Sequence, residues 1–102
     1  SLSQKERKKL QYGNISHRFF SAYLRFDVQD KPGVLSNITN IFSKNKVSIK
    51  RLVQNPNKER KLSSIIVVTH MSKDLYLRKI LKEITKKNYI KKKPKLIRID
   101  QN

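Results

Sequence analysis

Residues 23–35 read Tyr23-Leu24-Arg25-Phe26-Asp27-Val28-Gln29-Asp30-Lys31-Pro32-Gly33-Val34-Leu35, and this run decides the fold. Leu24, Phe26 and Val28 alternate with Arg25 and Asp27, the period-two pattern of a half-buried strand. Asp30-Lys31-Pro32-Gly33 ends the alternation. Pro32 fixes its own φ and drives Lys31 toward extended backbone. Gly33 permits a positive φ and a close approach by another group. Beyond it Val34, Leu35, Ile38, Ile41 and Phe42 recur at helical spacing. They predict a helix over 34–43, with Asn45 suited to a left-handed C-terminal cap.

Working outward, Val47, Ile49, Arg51 and Val53 alternate with Ser48, Lys50, Leu52 and Gln54, which predicts a second strand. Asn55-Pro56-Asn57-Lys58 is a turn cluster. Residues 62–69 form a third strand. Its centre, Ile65-Ile66-Val67-Val68, is apolar on both faces and belongs in the middle of a sheet. Ser72 is placed to cap a second helix, and Asp74 suits that helix's positive end. Leu77, Ile80, Leu81 and Ile84 supply the buried stripe. Residues 88–93 read as a loop, and 95–100 as a last strand with Ile97 and Ile99 inward.

The order is βαββαβ, an α+β ferredoxin-like sandwich with two helices on one face of a four-stranded antiparallel sheet. The first and third strands are then central, and the second and fourth are edges. An uncovered face and a free edge invite a second copy, so a homodimer through one of them is expected. The alternative cover is the stretch 1–21. That stretch is polar, with the charged run Lys5-Glu6-Arg7-Lys8-Lys9 and the turn signal Tyr12-Gly13-Asn14. It reads as a linker or tail from a preceding region, with the domain proper at 22–102.

The chain has 102 residues, enough for one core, and 25 Lys and Arg against 7 Asp and Glu give it a net charge of +18. That balance points to an acidic partner or a heavily solvated surface. There is no cysteine, which excludes a disulfide scaffold and thiolate metal sites and suits a reducing cytoplasm. No apolar run approaches the ~20 residues that cross a bilayer. Catalytic machinery is not visible. His17 and His70 lack partners at metal-ligand spacing. Only Gly13 and Gly33 exist, too few for a phosphate loop, and the sparse carboxylates do not pair. No catalytic residue, metal or cofactor is therefore assigned to this chain.

The loop at 30–35 is the informative feature. The helix-start amides near Gly33, Val34 and Leu35 lack intrahelical partners and favour a carboxylate. Asp30 lies near enough to attract an ammonium group, and Asn37 in the first turn adds an amide. Together they form a cradle for a free amino acid.

The same span resembles the opening of an ACT domain, and is most similar to the ACT domain at the C-terminal end of bacterial homoserine dehydrogenase. Val47-Ser48-Ile49 with Leu52-Val53-Gln54, Ile65-Ile66-Val67-Val68-Thr69-His70 and Leu96-Ile97-Arg98-Ile99 agree in place and spacing. The resemblance covers about residues 22–100. It implies the βαββαβ fold, pairing into dimers, and amino-acid effectors bound near the Pro-Gly loop. Threonine is the effector it implies, for feedback control of aspartate-family biosynthesis. It also implies a parent enzyme that uses NAD(P)H, whose catalytic domain is a further partner. Matched residue by residue, the effector site is Asp30, Gly33, Val34, Leu35 and Asn37, with Gln54 reaching from the second strand. Three positions depart from the family. Lys46 stands where Gly is common after the first helix, and Asn45 is expected to take the left-handed role. Lys50 and Arg51 replace acidic or small residues on the second strand, so like charges would meet if that edge formed the interface.

Two rival readings are a nucleic-acid-binding module and a ligand-independent dimerisation domain. RNA-binding modules of this strand order stack bases on aromatic residues of their central strands. The third strand here has none, and the basic residues are scattered, which argues against nucleic acid as a specific partner.

Overall fold

The computed structural model describes residues 3–7 and 17–99. The turn signal at 12–14, Lys8, Lys9 and the expected last strand residue Asp100 lie outside the described residues. Residues 4–7 make one helical turn, closed by a reciprocal cap. The Ser3 hydroxyl accepts the Glu6 N–H at 3.1 Å, and the Glu6 carboxylate accepts the Ser3 N–H at 3.3 Å.

The domain runs β1 (Phe19–Gln29), α1 (Val34–Lys44), β2 (Ile49–Asn57), β3 (Leu62–Thr69), β4 (Ser72–Lys73), α2 (Asp74–Thr85) and β5 (Lys95–Ile99). All pairings are antiparallel. β1 lies between β3 and β5, and β2 flanks β3. The expected βαββαβ order and the central first and third strands are therefore observed. β1 starts at Phe19, inside the stretch expected to be linker.

The fifth strand, β4, was not expected. Tyr23 faces Val68, while Phe20 faces Ser72: three steps on β1 against four on the partner. β4 thus continues the β3 ladder past a one-residue bulge at His70–Met71. Thr69 closes the irregularity. Its hydroxyl accepts the Ala22 N–H at 3.0 Å, and its carbonyl accepts the Ser21 hydroxyl at 2.7 Å. Because Ser72 belongs to this strand, it does not cap the helix. Lys73 holds that position with no side-chain cap.

The core fills the space between the sheet and both helices. Leu24, Phe26 and Val28 from β1 and Ile65 and Val67 from β3 meet Ile38, Ile41 and Phe42 of α1 and Leu77, Ile80 and Ile84 of α2. Phe26 and Phe42 pack edge to face, with centroids 6.2 Å apart. Two strand phases differ from expectation. On β2 the register slips between Ile49 and Arg51, so the bulge turns Leu52 onto the core, while Val53 is 40% exposed. On β5 Leu96 pairs with buried Leu24 and packs inward. Ile97 pairs with Tyr23 on the opposite face, so Ile97 and Ile99 are exposed rather than inward.

The first helix also ends differently. Asn45 has φ −92, and Lys46 is the left-handed residue at φ 63. The Val47 N–H reaches the Phe42 carbonyl and the Lys46 N–H reaches that of Ser43, each at 3.0 Å. This is a Schellman closure, with buried Val47 making its hydrophobic contact. Asn45 instead uses its side-chain amide, donating to the Ile41 carbonyl at 2.8 Å.

Candidate functional site

The loop between β1 and α1 is pinned where it leaves β1. The Gln29 N–H donates to the Tyr89 carbonyl and the Asp30 N–H to that of Lys61, both at 2.8 Å. Gly33 is the N-cap residue at φ 89, a left-handed conformation that side chains rarely adopt. Its carbonyl accepts the Asn37 N–H at 2.9 Å, and the Val34 N–H makes only a long 3.4 Å contact to Lys31. Among the described residues no protein acceptor meets the Leu35 and Ser36 N–H groups, so the helix start offers free donors with the positive end of the dipole behind them.

Of these residues Leu35 borders a hollow of about 340 Å³, within the size range of small-molecule sites. Asp30, Gly33, Val34 and Leu35 line it on the loop side, and Gln54 lines it from β2. Five of the six residues named from sequence therefore surround one space, though they come from two separate parts of the chain. Asn37 is placed elsewhere. It lies on a neighbouring hollow with Lys87 and Tyr89, and its side-chain carbonyl accepts the Tyr89 hydroxyl at 2.6 Å. Burial, reinforced by the negative charge of Glu83, pushes the Tyr89 pKa up to about 12, so the phenol stays a donor.

Sequence reasoning missed Ser63. It lines the same hollow, is 3% exposed, and its hydroxyl has no hydrogen-bond partner among the described residues. Its neighbours across the ladders are Val28 and Pro56. A signal was available, because Ser63 shares its strand face with Ile65 and Val67, where alternation calls for an apolar residue.

Among the described residues no group of His, Cys, Asp or Glu could hold a metal, and no helix is long and apolar enough to cross a membrane. Among the described residues no helix covers the opposite sheet face, which carries Tyr23, Ile66, Val68, Val53, Ile97 and Ile99.

Residues 24–92 match the family model of the AHAS small subunit-like ACT domain. A homoserine dehydrogenase of Bacillus subtilis (strain 168) is 30% identical over 81 residues, covering 78% of this chain and 19% of that protein. One from Methylobacillus glycogenes is 36% identical over 64 residues, covering 62% of this chain and 15% of that protein. The crystal structure of a homoserine dehydrogenase from Thiobacillus denitrificans superposes with a TM-score of 0.74 at 26% identity, over 84% of this chain and 19% of that one. The chain thus spans less than a fifth of the relatives it matches, and the match falls on their ACT region. With the family model covering well over half its length, the chain belongs to the ACT domain family.

Proposed function

We propose that this domain binds a free α-amino acid, with threonine the expected effector, and thereby regulates an NAD(P)-dependent homoserine dehydrogenase catalytic region. One observation carries the reading: the hollow beside Gly33 gathers unpaired helix-start amides, the Asp30 carboxylate and a buried hydroxyl in one place. The amides suit the ligand's carboxylate and Asp30 its ammonium group. The likeness to homoserine dehydrogenases supports the choice of parent and of pathway end product. Regulation further requires two arrangements that the ligand binds unequally. Pairing of two copies through the open sheet face supplies them. Exposed Ile97 and Val53 favour that face over the β2 edge, where Lys50 and Arg51 are exposed.

Thermal unfolding with each free amino acid at millimolar level tests the proposal. A ligand at 100 times its Kd adds about 2.7 kcal/mol. Gly33→Val should abolish the response while the domain still folds. A Cβ at Gly33 meets nothing within 4 Å, so the cost is backbone strain of about 1–3 kcal/mol. No shift with any amino acid, or an unchanged response in the variant, would overturn it.

A further inference from the structure

We infer that Ser63 makes this site selective for β-hydroxy amino acids over aliphatic ones of the same shape. The inference rests on the amino-acid-binding reading and names the side-chain chemistry that the site accepts. The inner wall of the hollow is built from Val28, Val34, Ile65 and Ser63, all under 5% exposed. Three are apolar and one carries a hydroxyl. With the ligand's carboxylate on the helix-start amides and its ammonium group toward Asp30, this wall is what remains for the side chain. A short side chain bearing one methyl and one hydroxyl matches it group for group.

The Ser63 hydroxyl is the only buried side-chain polar atom without a partner among the described residues. Elsewhere buried hydroxyls are satisfied: Ser21 donates to the Thr69 carbonyl, and Thr69 accepts from Ala22. An orphaned donor is costly in the empty domain and rewards a ligand that completes it. Pro56, opposite Ser63 on β2, has no N–H to offer it. A valine side chain fills the same volume and leaves the hydroxyl unpaired, and sites built to hydrogen-bond a ligand hydroxyl reject such analogues.

Calorimetric titration of the wild-type domain and Ser63→Ala with threonine and with valine tests this, together with the Tm of each ligand-free protein. The wild type should bind threonine about tenfold more tightly than valine, the worth of one good hydrogen bond. In Ser63→Ala the two affinities should come within about twofold of each other. The ligand-free Tm should hold or rise, because the variant removes an unsatisfied group. Equal binding of both ligands by the wild type, or threonine preference kept in the variant, would overturn the inference while leaving amino-acid binding intact. A ligand-free Tm lowered by several degrees would overturn it too, by showing that the hydroxyl already has a partner. Failure of the wild type to bind either ligand would refute the underlying amino-acid reading and this inference with it.

Discussion

Lys46 occupies a position that glycine fills more cheaply. Its φ of 63 places Cβ against the following carbonyl, which costs about 1–2 kcal/mol for a residue other than glycine. The Schellman hydrogen bonds and the burial of Val47 hold it there. Lys46→Gly should therefore stabilise the domain by about 1 kcal/mol, less what glycine adds to unfolded-state entropy, and move the urea midpoint upward. Tyr89 gives a pH signature. Its pKa is about 12 when folded against about 10 when unfolded, so the folded state keeps the proton longer. The stabilisation is complete below pH 10 and is lost as pH rises from 10 toward 12. Tyr89→Phe should flatten that alkaline decline, measured by urea unfolding at stepped pH. It should also leave the Asn37 amide without its phenol partner.

At the scale of elements, Asp74 joins α2 to β5 and to the residue just before β1. It is fully buried at the start of α2, takes the Arg78 guanidinium at 2.7 Å and that of Arg98 from β5 at 2.6 Å, and its N–H donates to the Arg18 carbonyl at 2.9 Å. Both arginines are more than a third exposed and reach water without it, so Asp74→Ala should cost about 2–3 kcal/mol, at the low end for a broken buried pair. Denaturant unfolding checks that value. Asp74 was legible only as a helix-start acid, because Arg98 lies 24 residues away in sequence. The strand order was readable from alternation in β1 and the apolar run of β3. The phases of β2 and β5 were not, since a bulge at Lys50 and pairing to Leu24 set them, and both depend on the partner strand. β4 escaped for a similar reason: two residues past a bulge carry no periodicity. The loop half of the site was readable because proline and glycine act locally, whereas Ser63 shows in the sequence only as a polar break in the apolar face of β3, and its lack of a partner depends on what packs around it.

For the whole molecule, charge and the open face set the terms of association. Arg25, Arg60, Lys91 and Lys92 surround a second hollow on which Asp27 is the one carboxylate. Burial works against ionisation of Asp27, but the Ser64 hydroxyl and the Arg25 guanidinium outweigh it and hold its pKa below the usual carboxylate value. With a net charge of +18, attraction to polyanions should be sequence-independent and fall steeply with salt. The proposed self-association through the open face should respond to Ile97→Lys, which adds charge at a residue 59% exposed in the single chain. Sedimentation should show a weaker dimer with an unchanged fold. Amide NMR during a threonine titration bears most directly on the account. Resonances of Gly33, Leu35, Ser36, Gln54 and Ser63 should move together and saturate, while those of α2 stay in place. Saturating threonine that leaves the 33–36 amides unmoved would contradict it.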